Sequence, residues 1–162
     1  MIFVSVGSRE YQFDRLIHKI DCLVDSGELS DKVFAQIGNS NYIPKKIDYT
    51  RFLDNDQFSK AQDMANIIIS HGGTGALVSA LKKDKKVIAV PRLSAFKEHA
   101  DDHQMQIVDL FEKEGYVIKV VDIELLIEAI EKCKSGGFTP KRFSKYSNIE
   151  QIIRDFIISR GD

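Results

Sequence analysis

The sequence predicts an α/β protein, a parallel sheet with helices on both faces, and three observations predict it. Short apolar runs alternate with segments of helical periodicity along most of the chain. The run Ile67-Ile68-Ile69 is apolar at every position, as in a central strand covered on both sides. Glycine turns stand where strands give way to helices, at Gly7-Ser8 and at His71-Gly72-Gly73-Thr74-Gly75. With 162 residues, 43% of them hydrophobic, the whole span 1–162 is expected to form one domain with a real core.

Taken in order, Met1 to Val6 reads as a strand, and Phe13, Leu16, Ile17, Ile20 and Leu23 mark the apolar face of a first helix. A second strand fits Val33 to Ile37, ending at Gly38, and a third fits Ile47 to Leu53, where β-branched and aromatic residues concentrate. A helix around Asp56 to Met64 precedes the triple isoleucine. Ala76 to Lys83 reads as the helix after the glycine loop, Val87 to Val90 as a strand, Asp101 to Glu114 as a helix and Tyr116 to Val121 as a strand. Asp122 is placed to cap a helix through Lys132. Three stretches interrupt the alternation: Gly38 to Lys46, Pro91 to Ala100 and Ser135 to Lys145. After the last of them Ile149, Ile152, Ile153, Phe156 and Ile157 give a terminal helix, within 146–160, an apolar stripe. The stripe either packs on this domain or docks a partner.

Composition removes several classes of function. Lys and Arg number 23 against 24 Asp and Glu, so there is no electrostatic case for nucleic acid. No apolar run approaches the roughly 20 residues needed to cross a bilayer, so any membrane role is indirect. Cys22 and Cys133 lack metal spacing; with no signal-peptide pattern they read as reduced thiols, small core residues of a cytoplasmic protein.

The segment Ser70 to Gly75 carries the chemistry. Glycines let backbone approach a ligand closely, Thr74 offers a hydroxyl, and the following helix presents free N–H groups to an anion such as a diphosphate. The alternative is a tight turn alone; the strand before and the helix after favour the anion site. The loop lacks the third glycine of the dinucleotide fingerprint, and Gly38-Asn39 stands where a nicotinamide enzyme has an acidic residue after its second strand. There is no Gly-Lys-Ser/Thr, so it is not a P-loop. His71 is placed to donate to a phosphate or to orient the turn.

A second polar cluster runs from Glu98 to Gln104. His99 and His103 share a spacing that suits a metal, but the helix is expected to start near Asp101, leaving His99 outside it, and no metal is assigned. Asp102, His103 and Gln104 are better suited to reading sugar hydroxyls, since carboxylates and amides each bind two vicinal groups.

These segments, "MIFVSVGS", "FDRLI", "VFAQIGNSNYIP", "IISHGGTGAL" and "EHADDHQ", together resemble the glycosyltransferase family 28 carboxy-terminal domain over about residues 1 to 120. Within that family the chain most resembles the soluble subunits of two-part enzymes, such as the subunit that pairs with a membrane-anchored partner to add the second N-acetylglucosamine to dolichyl diphosphate, and more so those of bacterial capsule and exopolysaccharide synthesis. The resemblance implies a Rossmann-like half of a GT-B transferase, of the carboxy-terminal type, and inverting transfer from a UDP-sugar to a lipid-diphosphate-linked sugar. No cofactor is implied, the UDP-sugar being a substrate. Gly7 and Ser8 would line the cleft beside the diphosphate, with His71, Gly72, Gly73, Thr74 and Gly75 as the main phosphate loop. Phe52 and Leu53 match the stretch whose backbone holds uracil, and Asp102, His103 and Gln104 would face the donor sugar. Where the family often carries a ribose-binding glutamate, this chain has Ser79.

A GT-B enzyme closes two domains over its substrates. The resemblance therefore implies a membrane-associated partner subunit that binds the acceptor and recruits this chain to the cytoplasmic face of the membrane. Departure of UDP calls for positive charge, from helix N-termini, His71, Arg92 or Lys97. His103 is the local candidate for the catalytic base, unless the partner supplies it. The alternative function is a regulatory or enhancer subunit that no longer holds donor.

Overall fold

In the computed structural model, which describes residues 1–100 and 103–143 (of His103 the backbone only), six strands form one sheet in the order β3-β2-β1-β4-β5-β6. They are β1 (Ile2–Ser5), β2 (Val33–Gln36), β3 (Asp48–Thr50), β4 (Ile67–Ser70), β5 (Lys86–Ala89) and β6 (Ile118–Lys119), and every pairing is parallel. The chain winds outward from β1 in one direction through β2 and β3, then returns to the middle at β4 and winds in the other. A crevice therefore opens at the carboxyl ends of β1 and β4, the position at which this topology binds ligands.

The two-residue period of the central strands decides which layer each side chain joins. Ile2, Val4, Ile69 and Ile88 fall in one core with Leu16, Ile17 and Ile20 of α1 (Asp14–Asp25) and Ile130 and Cys133 of α5 (Leu126–Lys134). Phe3, Ile68, Val87 and Ala89 point the opposite way. There they meet Ala61 of α2 (Asn55–Met64), Leu77 and Leu81 of α3 (Thr74–Lys82), and Val108 and Phe111 of α4 (His103–Lys113). Alternating strands covered by helices on both sides are the arrangement that the apolar runs predict.

Several boundaries differ from the sequence expectation. The third strand is three residues long rather than Ile47 to Leu53; Phe52 and Leu53 leave the ladder and line the crevice. The sixth shrinks to two paired residues. Asp122 does accept a hydrogen bond from the Glu124 N–H at 3.0 Å, but the turn it caps is a 3-10 segment, Ile123–Leu125, and α5 runs on from there to Lys134. Of the two cysteines only Cys133 is in the core; Cys22 is exposed, its sulfur 3.7 Å from the His18 ring. The terminal helix expected within 146–160 lies outside the described residues.

The connection from β2 to β3 has no helix, an exception to the alternation. It is irregular backbone, held by two carboxylates seven residues apart on α1. Asp14 accepts from the N–H groups of Asn41 and Tyr42 at 2.7 and 3.0 Å. Asp21, buried, accepts from the N–H groups of Lys45 and Lys46, at 2.9 and 2.7 Å, and from the Tyr42 hydroxyl at 2.7 Å. Burial pushes the Asp21 carboxyl up, but the Lys45 N–H, the Tyr42 hydroxyl and the Lys46 N–H outweigh it and hold the group below the ordinary carboxylate range.

Candidate functional site

The crevice is made by two turns that press on one histidine. Gly7, at φ 82°, ends β1; a Cβ there would stand 2.8 Å from the His71 ring, and a Cβ on Gly73 would stand 2.4 Å from its Nε2. The imidazole is thus caged between two backbones that only glycine allows to come so close. Nδ1 lies 3.2 Å from the Ser5 carbonyl oxygen, and since a carbonyl can only accept, the proton is on Nδ1 and Nε2 carries the lone pair. Burial, seconded by the Arg92 charge, drops the His71 pKa to about 4, so the ring is neutral at pH 7. A neutral ring with its proton on Ser5 has no hydrogen left for a phosphate; of the two roles considered for it, orienting the turn is the one its contacts show.

Gln36 completes the scaffold, and the sequence reading gave it no role. It is buried at the end of β2, where its Nε2 donates to the Gly7 and Arg51 carbonyls at 2.8 and 3.1 Å. Its Oε1 accepts from the Ser5 hydroxyl and the Gly7 N–H at 3.1 and 3.2 Å. One amide saturates both turns that flank it. The available signal was a lone amide at the end of an otherwise apolar strand.

From this frame a cleft of about 480 Å³ opens, lined by Gly7, Ser8, Phe52, Leu53, Asn55, Phe58, Ser59, His71, Gly75, Ala76 and Ser79, with Ser5 and Gln36 at its floor. The helix after the loop begins at Thr74, two residues earlier than predicted, with Gly73 as an N-cap that has no side chain to satisfy the first turn. The N–H groups of Thr74, Gly75 and Ala76 therefore belong to the first turn of α3, where N–H groups have no intrahelical partner and the helix dipole favours an anion. A Cβ on Gly75 would meet nothing within 4 Å, so that glycine is not required by packing. At the far end Phe52, 47% exposed, and Leu53 form an apolar wall.

On the other side of His71 lies a second pocket of about 280 Å³, lined by Arg9, His71, Gly72, Gly73, Thr74, His99, Gln104 and Ile107. Gln104 Oε1 accepts from the Arg92 N–H at 3.3 Å, which leaves its Nε2 as the group to donate into the pocket. Tyr11 packs on the His99 ring, centroids 5.2 Å apart. Asp102 lies outside the described residues, as does the His103 side chain.

Glu98, at the start of the polar cluster, faces inward. Glu98 is fully buried and accepts from Arg15 Nε and Nη2 at 2.9 and 3.0 Å and from the Leu93 N–H at 2.9 Å. It bolts the β5–α4 loop to α1 and is not available as a ligand, so the Glu98, His99 and His103 set considered for a metal loses its carboxylate. Lys97, at φ 57°, makes the reversal that turns Glu98 inward. Arg92 is also buried, with Nη2 donating to the carbonyls of Val6 and Tyr11 at 2.6 and 3.2 Å and its guanidinium 5.6 Å from the Phe13 ring centroid. Burial lowers its pKa to about 10, which leaves it charged beneath the glycine turns.

The profile of the glycosyltransferase family 28 C-terminal domain matches residues 1–156. Among curated proteins, the chain is 29% identical over 99 residues to the UDP-N-acetylglucosamine transferase subunit ALG13 of Saccharomyces cerevisiae, covering 60% of this chain and 47% of that protein. It is 27% identical over 124 residues to the mouse protein of the same name, 71% of this chain and 10% of that one. It is 26% identical over 100 residues, 62% and 23%, to the N-acetylmuramyl-(pentapeptide) pyrophosphoryl-undecaprenol N-acetylglucosamine transferase of Streptococcus gordonii. The chain thus spans less than half the length of each. Among solved structures, the NMR structure of ALG13 shares the fold with a TM-score of 0.63 at 19% identity, over 97% of this chain and 96% of that one. The calicheamicin glycosyltransferase CalG4 does so at 0.59 and 14%, over 99% and 40%. The likeness to these structures shows a Rossmann-like fold of the kind found in GT-B glycosyltransferases.

Proposed function

Because the chain belongs to the glycosyltransferase family 28 C-terminal domain family, we propose that it is the donor-binding catalytic subunit of an inverting UDP-sugar glycosyltransferase. The observation that carries the reading is the uncapped first turn of α3, whose residues line a cleft on one side of His71 and a second polar pocket that His71 also lines. A diphosphate on the N–H groups of Thr74, Gly75 and Ala76, with the Thr74 hydroxyl, sets the nucleoside toward Phe52, Leu53 and Ser79 and the sugar toward Gln104; the family resemblance adds Asp102 and His103 as sugar-binding residues.

In such a transfer the acceptor hydroxyl attacks the anomeric carbon from the face opposite UDP; its proton goes to a base and the electron pair of the breaking bond goes to the diphosphate. The helix N-terminus stabilises that growing charge from a fixed position, and the buried Arg92 guanidinium adds a field from below. His103 or a residue of the partner serves as base. No cofactor takes part. Two curated relatives are named as transferase subunits and a third acts on a pyrophosphoryl-undecaprenol-linked sugar. The subunit names support a partner polypeptide and the third name supports an acceptor linked to a lipid diphosphate; that the partner is membrane-associated and holds this acceptor is part of the proposal. No helix among the described residues is long and apolar enough to cross a membrane. On this reading the chain works at the cytoplasmic face through that partner, in capsular, exopolysaccharide or related glycan synthesis.

Calorimetric titration of the chain with UDP, UDP-galactose, UDP-glucuronic acid and UDP-N-acetylglucosamine tests the proposal. Binding of UDP, with one UDP-sugar held more tightly than the others in a manner that Gln104→Ala abolishes, is the expected result. A folded chain that binds none of them overturns it in favour of a regulatory subunit.

A further inference from the structure

We infer that Gln62 is a positioning residue that turns the Ser79 hydroxyl into a hydrogen-bond acceptor for the ribose of the donor, the task a carboxylate performs elsewhere. The inference rests on the nucleotide-binding reading of the same cleft and deepens it.

Gln62 sits on α2, fully buried, outside the lining of either pocket. Its Nε2 lies 3.3 Å from the Ala76 carbonyl oxygen on α3. A carbonyl cannot donate, so the amide nitrogen must be the atom that faces it, and this fixes which way the side-chain amide points. Its Oε1 is then the atom 2.7 Å from Ser79 Oγ. An amide oxygen only accepts, so Ser79 must spend its one hydrogen on Gln62. A hydroxyl that has donated inward has only lone pairs to offer elsewhere, and Ser79 lines the cleft.

The position suits a ribose. Ser79 is one helical turn along α3 from Gly75, which puts it about 6 Å beyond the anion-binding first turn. It lines the same cleft as that turn and as Phe52 and Leu53, so a nucleoside diphosphate whose phosphates sit on the turn carries its sugar within the cleft that Ser79 lines. Ribose hydroxyls are donors as well as acceptors. A site that presents fixed acceptors to them selects nucleotides that carry the hydroxyl over those that lack it. A serine left to rotate can donate or accept and selects more weakly. The buried amide supplies the direction that the missing negative charge would otherwise enforce.

The test compares UDP with 2′-deoxy-UDP and 3′-deoxy-UDP by calorimetry on the full chain and on Gln62→Met, Ser79→Ala and the double variant. The wild type is expected to bind UDP about threefold to tenfold more tightly than at least one deoxy analogue. Gln62→Met is expected to lose that ratio although Ser79 is present, and the double variant to lose no more than Ser79→Ala. Gln62→Leu, which also removes the acceptor of the Ser79 hydroxyl, is expected to lose the ratio too and stands in if the Met variant does not fold. Equal binding of UDP and both analogues by the wild type overturns the inference alone, as does a ratio that survives in Gln62→Met. Failure of the wild type to bind UDP at all overturns the donor-site reading and this inference with it.

Discussion

Two loops at the carboxyl end of the sheet solve opposite problems. The β2–β3 connection is irregular and long, and every strong acceptor near it is committed: Asp14 and Asp21 between them take four backbone N–H groups and the Tyr42 hydroxyl. The β4–α3 loop is braced just as firmly, by His71 against Ser5 and by the close packing of Gly7 and Gly73, but the bracing uses shape and leaves the first turn of α3 without a side-chain cap. The difference teaches where to look for a binding site. A loop that only has to hold its place consumes its polar groups, whereas a loop that has to bind keeps donors in reserve.

The largest effect is expected at the first loop. Asp21→Ala takes away the buried carboxylate that accepts from the Lys45 and Lys46 N–H groups and from the half-buried Tyr42 hydroxyl, and is expected to cost about 3 kcal/mol in urea unfolding. UDP affinity should change by less than about twofold, because nothing Asp21 holds lines the cleft. Since the folded carboxyl titrates below its ordinary value, the contribution is present above that value and disappears as pH falls through the folded pKa. A large loss of UDP binding in a folded Asp21→Ala chain would break the distinction between the two loops.

The contrast also marks what the sequence could and could not say. The sheet was legible because its strands are written in period and composition: Ile67-Ile68-Ile69 could be little else than a central strand, and the glycine turns announced the crevice. Gly7, His71 and the glycine loop do converge on the crevice wall. What stayed hidden were contacts between residues far apart in the chain whose types are ordinary. Gln36 and Gln62 look like any glutamine until one amide is found between Ser5, Gly7 and Arg51 and the other between Ala76 and Ser79. Glu98 is the opposite case: a carboxylate beside two histidines suggests a ligand set, which the sequence reading did not assign, and only the fold shows Arg15 closing on it.

A smaller effect sharpens the account of the second loop. His71 has its pKa lowered from 6.5 to about 4 in the folded chain, so between these values the unfolded chain binds more protons than the folded one. The stabilisation from keeping the ring neutral is fully present above pH 6.5 and is lost as pH falls toward 4, a change of about 2–3 kcal/mol. His71→Gln is expected to flatten this part of the pH–stability curve. A wild-type curve as flat as the variant's would show that the cage does not hold the ring neutral.

The smallest change in stability belongs to the most informative pair of substitutions. Gly73→Ala drives a methyl to within 2.4 Å of His71 Nε2, and the ring cannot yield without giving up Ser5, so a loss of about 1–3 kcal/mol is expected together with the loss of UDP binding. Gly75→Ala, two residues on, meets no atom within 4 Å and lies in the first turn of a helix, where alanine is well tolerated. Its thermal unfolding is expected to match the wild type within about 0.5 kcal/mol or to improve on it, while UDP binding falls at least tenfold, because the added methyl occupies space the phosphate needs. A glycine that folding does not require and binding does is the sharpest signature of a site. If Gly75→Ala bound UDP as the wild type does, the diphosphate would have to lie elsewhere in the cleft, and the first turn of α3 would be as structural as the loop that Asp21 holds.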